Sequence, residues 1–304
     1  MRATAAILPA LCAAVLLCAC RQDPVGAAGA GAGGGIVVGS KNFTEQVILG
    51  EILADLIERR AGIPVTRRLN LGGTFICHQA MTSGAIDLYV EYTGTALTAI
   101  LKKPPVADRG EALRIVREAY DHDLGLVWTE PLGFNNTFVL VVTREASETR
   151  GLRKISDLAL VESGFRTGFG YEFVERADGY AGLVSAYGLH FTRPPREMDL
   201  GLIYRALSQG LVDVVAGNST DGVISSLGLV PLEDDRRYFP PYDAVPVVRA
   251  EALKKHPSLR PILAALGGAI TEESMRRMNL AVDGDLRDPR AVAREFVAAL
   301  PPGP

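Results

Sequence analysis

Five short loops hold most of the residues that could do chemistry: Ser40-Lys41-Asn42, Gly72-Gly73-Thr74, Glu91-Tyr92-Thr93-Gly94-Thr95, Gly133-Phe134-Asn135-Asn136 and Asn218-Ser219-Thr220-Asp221. What they offer is binding. Backbone donors at helix starts, with Lys41 and Thr95 nearby, suit an anionic group such as a carboxylate. Tyr89, Tyr92, Tyr171 and Tyr242 put aromatic rings in or beside the loops. A tyrosine near a strand end is either a core-edge residue or a ligand wall. Alternation along a strand also means that Tyr89 and the immediate neighbours of Tyr92 do not all face one way.

Catalytic patterns are missing. There is no Gly-x-Ser-x-Gly, no His-Glu-x-x-His, and no Gly-x-Gly-x-x-Gly in a strand-to-helix turn. His78, His122, His190 and His256 each stand alone, without a partner at metal-ligand spacing. Only His78, beside Cys77, falls near a candidate loop, and it reads as a supporting or core residue. Glu233-Asp234-Asp235, ahead of Pro240-Pro241, reads as a solvated turn. Of four cysteines, Cys12, Cys18 and Cys20 crowd the N-terminus. Cys77 alone remains in the body, which excludes an internal disulfide and a cysteine metal site there; it reads as a small buried apolar residue. A net charge of −3 gives no electrostatic case for nucleic acid. The expectation is a binding protein and not an enzyme, with no cofactor and no metal.

The elements that must position the loops alternate strand and helix. Ile36-Val37-Val38 reads as a short strand. Asn42 with Glu45 three residues on makes a capping-box-like helix start. Ile48, Ile52, Leu56 and Leu49, Leu53, Ile57 then mark adjoining rows on one face, and Gly62 with Pro64 ends the helix. Val65 to Leu71 and Ile86 to Val90 read as the next strands, Gly72-Gly73-Thr74 as a helix opening, and residues 109–124 as an amphipathic helix. Phe138 to Thr143, Arg166–Gly168, Val212 to Ala216 and Val245 to Arg249 read as later strands. Helices are expected around Phe173–Tyr187, along Leu202 to Leu207, and over most of the stretch from Pro257 to Pro301. This is an α/β chain of about 270 ordered residues, more than one core usually serves, so two lobes are expected. Ligands in such sheets sit beyond the carboxyl ends of the strands.

The N-terminus points outside the cytoplasm. Arg2, a short apolar run over 5–19 and the ending Leu17-Cys18-Ala19-Cys20 have the layout of a secretory signal, too short for a comfortable membrane span. A cysteine just after Leu-x-small resembles the bacterial lipobox, in which that cysteine is lipidated and becomes the new N-terminus. The expectation is a signal peptide over 1–19, lipid on Cys20, and a Gly/Ala linker over 20–35. An ordinary signal cleaved near Ala19 and an uncleaved anchor are the alternatives. The glycine run is not a phosphate loop, because no Gly-Lys-Ser/Thr follows it.

Seven stretches occur in the order seen in one family: 39–51 (GSKNFTEQVILGE), 72–74 (GGT), 91–95 (EYTGT), 133–137 (GFNNT), 176–179 (RADG), 218–222 (NSTDG) and 239–242 (FPPY). They resemble the substrate-binding proteins of ABC importers for quaternary amines: glycine betaine, choline, carnitine and proline betaine. The resemblance covers about residues 36–300. It implies the two-lobed periplasmic-binding fold (type II-like), closing on its ligand by hinge motion. It also implies a monomer that hands a small betaine-like zwitterion to ABC permease subunits. The expected division is lobe 1 over 36–135 plus 243–304 and lobe 2 over 136–242, with crossings near Asn136 and Tyr242.

In that family a quaternary ammonium sits in a box of rings. Its methyl groups block hydrogen bonds, so only ring faces and apolar contact can hold it, each ring contributing about 0.5–2 kcal/mol. Carried over by motif, the box here is Tyr92, Phe138, Asn218 and Tyr242, and the carboxylate clamp is Lys41, Thr95 and Arg176. Asn218 stands where betaine binders of the family usually carry tyrosine, so the box lacks a wall; Tyr171 is a candidate to fill it. The opening fits either a glycine-betaine-like ligand held more weakly or a different or bulkier zwitterion. A periplasmic enzyme or sensor on the same scaffold is the remote alternative.

Overall fold

The computed structural model describes residues 34–161 and 164–302. Ten strands in this range make two five-stranded sheets. The first holds β1 (Ile36–Gly39), β2 (Val65–Arg68), β3 (Leu88–Tyr92) and β4 (Leu126–Trp128). The second holds β5 (Phe138–Val142), β6 (Thr167–Gly170), β7 (Arg196–Met198), β8 (Val214–Asn218) and β9 (Val230–Pro231). The chain then returns to the first sheet as β10 (Ala244–Arg249). The strand orders are β2-β1-β3-β10-β4 and β7-β6-β8-β5-β9. In each sheet three strands pair in parallel, and one strand that crosses from the other sheet runs antiparallel between two neighbours: β10, the last to join the first sheet, between β3 and β4, and β5, the first of the second sheet, between β8 and β9.

Both faces of each sheet are covered, which is why the central strands are continuous apolar runs and not alternating ones. On one face of the first sheet, helix α1 (Thr44–Ala61) buries Ile48, Leu49, Ile52, Leu53, Leu56 and Ile57 against Ile36, Val38, Leu88 and Val90 and against C-terminal residues such as Met275, Ala293 and Val297. On the other face, Cys77 and Met81 of helix α2 (Thr74–Thr82) pack with Tyr89, Tyr120, Trp128 and Val247. The second sheet has its own two cores, one around Leu140, Phe169, Phe173 and Val214, the other around Val141, Ile203, Leu207 and Val215.

The two chain passages between the sheets run side by side. Asn135 bridges Asp243, the Asn136 N–H donates to the Tyr242 carbonyl at 3.0 Å, and the Tyr242 N–H donates to Asn135 Oδ1 at 2.6 Å.

Three local expectations change. Asn42 does not cap α1: Phe43 holds the N-cap position, without a side-chain cap. Glu45, expected to reach back along the helix, is instead buried and accepts from Tyr92 Oη (2.6 Å), Asn136 Nδ2 (2.8 Å), Thr220 Oγ1 (2.6 Å) and Asn279 Nδ2 (3.3 Å). Four donors outweigh one backbone N–H for a carboxylate out of water. The third strand is shifted to Leu88–Tyr92, because the Ile86 N–H still closes the turn after α2 on the Ala80 carbonyl.

The helix expected over Phe173–Tyr187 is two helices, Tyr171–Glu175 and Tyr180–Tyr187. The break follows from packing: Arg176 is extended, at φ −77° and ψ 144°, and Asp178 and Arg176 are both buried. Only glycine fits at position 179, where a Cβ would lie 1.9 Å from the Phe173 carbonyl oxygen.

Candidate functional site

A cavity of about 370 Å³ opens between the two sheets, at the carboxyl ends of β1, β3, β6 and β8. All seven residues expected from the motifs line it: Lys41, Tyr92, Thr95, Phe138, Arg176, Asn218 and Tyr242. Tyr171 lines it too, but as a rim residue, 56% exposed. His78 and Cys77 are absent from the lining. His78 packs edge-on to Tyr120, and burial pushes the Cys77 thiol up to about 12, so neither is a poised reactive group. Asp234 of the acidic turn accepts the Tyr238 and Phe239 backbone N–H groups at 2.9 Å each, a structural duty. Among the described residues no group of His, Cys, Asp and Glu is arranged to hold a metal.

The rings come from separate elements. Tyr92 ends β3, Phe138 begins β5, and Tyr242 precedes β10. Phe138 and Tyr242 meet edge to face, centroids 5.7 Å apart. Gly94 lets the Tyr242 ring lie close, since a Cβ there would sit 2.7 Å from it. A further ring, Phe43, lies outside the residues expected from the motifs: it lines the cavity and stacks on Tyr92, centroids 6.4 Å apart and planes 21° apart. Its signal is the phenylalanine of GSKNF, next to Asn42 inside the helix-start pattern Asn42 to Glu45.

The cations of the site are already paired. Lys41 Nζ contacts Glu91 Oε1 at 2.5 Å and donates to Thr74 Oγ1 at 2.8 Å. Glu91 in turn accepts from Tyr89 Oη at 2.8 Å. Arg176 makes a two-pronged pair with Asp178, Nε–Oδ1 2.8 Å and Nη2–Oδ2 2.5 Å, and sends Nη1 to Thr95 Oγ1 at 3.1 Å and Glu172 Oε1 at 3.3 Å. Asp178 also accepts from Thr98 Oγ1 and Tyr242 Oη, at 2.7 Å each. Burial alone would raise the Asp178 carboxyl, but the Arg176 guanidinium and these hydroxyls hold it below its usual range.

Lys41 and Arg176, expected from the motifs as a clamp, are each paired with a carboxylate that also lies in the motif stretches, Glu91 of EYTGT and Asp178 of RADG. A buried cation needs a buried counter-charge. The same cations lie near ring faces, Lys41 Nζ 5.1 Å from the Tyr92 centroid and the Arg176 guanidinium carbon 5.3 Å from that of Phe138.

Asn218 ends β8 and lines both this cavity and a larger neighbouring one of about 1310 Å³, with Asn42, Phe43, Gly72, Asp199 and Leu200 shared between them. Its amide Nδ2 lies 3.5 Å from Asp221 Oδ2.

Over residues 34–299 the chain matches the sequence profile of the substrate-binding domain of ABC-type glycine betaine transport systems. The chain belongs to this family. It is 38% identical over 264 residues to the carnitine transport binding protein OpuCC of Listeria monocytogenes, covering 86% of this chain and 85% of that one. It is 37% identical over 266 residues to the ergothioneine transport permease/ergothioneine binding protein EgtU of Helicobacter pylori, covering 87% of this chain and 47% of that longer protein.

Among solved structures, a glycine betaine/carnitine/choline ABC transporter protein superposes with a TM-score of 0.71 at 34% identity, over 86% of this chain and 97% of that one. The two-lobed α/β binding-protein fold expected from the motifs is therefore the fold of this chain. Members of this family are the extracytoplasmic binding components of ABC importers, not enzymes.

Proposed function

We propose that the protein is a lipid-anchored receptor that captures a glycine-betaine-like quaternary amine and delivers it to ABC permease subunits. The supporting observation is the convergence of Tyr92, Phe138, Tyr242 and Phe43 with Lys41, Thr95 and Arg176 on one cavity. The rings suit a methylated cation that cannot donate hydrogen bonds. The acidic residues in and directly behind the cavity, Glu91, Glu172, Glu175, Asp178 and Asp199, outnumber the cations Lys41 and Arg176, which favours a cationic head in the site. Thr95, Arg176 and Lys41 form the flank for a ligand carboxylate. Phe43, stacked on Tyr92, adds a ring to the cavity wall.

The lobes that close on the ligand are 36–135 plus 243–304 and 136–242, with the paired passages at Asn135–Asn136 and Tyr242–Asp243 as the hinge. Cys20 as lipid attachment rests on the sequence Leu17-Cys18-Ala19-Cys20 and lies outside the described residues.

A bulkier zwitterion is the second reading. Asn218 joins the cavity to its larger neighbour, and relatives are named for carnitine and ergothioneine. A thermal-shift and calorimetry panel of glycine betaine, choline, carnitine, ergothioneine and unmethylated amino acids tests both. Saturable binding of a quaternary amine without turnover is expected. Binding of unmethylated amino acids alone would overturn the reading.

A further inference from the structure

Glu172 belongs to no motif and to neither the box nor the clamp, yet its carboxylate lies in the cavity. It follows β6 on the second sheet, in the helix Tyr171–Glu175. Its Oε2 accepts from the Thr74 backbone N–H at 3.1 Å, at the start of α2 on the first sheet's side, where Gly73 offers no side-chain cap. Its Oε1 lies 3.3 Å from Arg176 Nη1. Thr74 is also the residue whose hydroxyl holds Lys41. One protein carboxylate thus engages a helix N-terminus and a clamp cation, the surroundings in which a ligand carboxylate is expected. With 28% of its side chain exposed, it is reachable from the cavity. Burial would raise this carboxyl, but Lys41, Arg176 and Thr74 hold it below the ordinary range, so it is charged at neutral pH.

We propose that Glu172 is the residue that sets selectivity at the carboxylate end of the site. Its charge stands beside Arg176 and disfavours a second carboxylate, so zwitterions are held less tightly than the box and clamp alone would hold them. A cation without a carboxylate meets no such opposition. This rests on the quaternary-amine reading and refines it: the native ligand either carries no carboxylate or displaces Glu172 from Thr74 as it binds.

The test is Glu172→Gln, which keeps an acceptor for the Thr74 N–H and removes the charge. Glycine betaine and choline are titrated into wild type and variant by calorimetry, with melting temperatures recorded to confirm the fold. The ratio Kd(choline)/Kd(glycine betaine) should rise about tenfold in the variant, the scale of one like-charge contact in a partly screened site. A merely structural role would weaken both ligands alike. An unchanged or lower ratio, with wild type binding at least one of the two, overturns this proposal and leaves the quaternary-amine reading intact. Failure of both proteins to bind either ligand or any other quaternary amine overturns both.

Discussion

Phe138 and Asn218 are directly opposed across the antiparallel β5–β8 ladder, and both line the cavity. Cross-strand partners present their side chains to the same face, so a ring at 218 would flank Phe138. Asn218→Tyr is expected to tighten glycine betaine by about 0.5–2 kcal/mol, the worth of one added ring face. It should also weaken carnitine or ergothioneine if either extends past Asn218. Calorimetry of the pair decides; no gain for glycine betaine would mean that position 218 does not reach the ammonium.

Tyr242 carries two separable roles. Its ring borders the cavity and its hydroxyl donates to Asp178 at 2.7 Å. Tyr242→Leu removes the ring but fills space, and should weaken binding by about 1–3 kcal/mol. Tyr242→Phe keeps the ring and leaves Asp178 its bonds to Arg176 and Thr98, so affinity should stay within about 1 kcal/mol of wild type. Equal losses in both variants would show that the hydroxyl, not the ring, matters.

Asp221 makes stability depend on pH. Burial pushes its carboxyl up to about 7, with Glu45 and Asp283 adding to the rise and bonds from Tyr204 and the Asn218 N–H opposing it. The native state therefore holds this proton more tightly than the unfolded chain, where the group titrates at about 3.9. Its stabilising contribution is complete below about pH 4 and is lost as pH rises to about 7. Asp221→Asn mimics the neutral acid. Its melting temperature relative to wild type should climb between pH 4 and pH 8. A constant difference across that range would show that Asp221 titrates normally.

Cys20→Ser should shift the protein from the detergent phase to the aqueous phase after export, because no lipid can then be attached. No helix among the described residues is long and apolar enough to cross a membrane in its place. Retention in the detergent phase with an unchanged mature N-terminus would refute the lipid anchor.

The sequence by itself determined the alternation of strands and helices and which loops contribute residues to the cavity. Those properties rest on local patterns: apolar rows for α1, continuous valine-rich runs for the strands, and motif stretches that kept their order. Helix Arg109–Leu124 ends where its pattern ends, at Gly125 in the left-handed region. Tertiary structure decided what depends on charges meeting from distant segments. Lys41 and Glu91 are 50 positions apart and Thr74 and Glu172 are 98 apart, and only folding brings each pair together.

Glu45 looked like a helix cap because its neighbours in sequence are a helix start. Its partners Asn136, Thr220 and Asn279 lie far along the chain, and once buried among them it serves the junction between the sheets. Arg176 sat inside an apparent helix until burial of its pair with Asp178 broke that helix in two. Local propensity is worth tenths of a kcal/mol per residue, whereas an unpaired buried charge costs several, so tertiary pairing prevails where the two conflict.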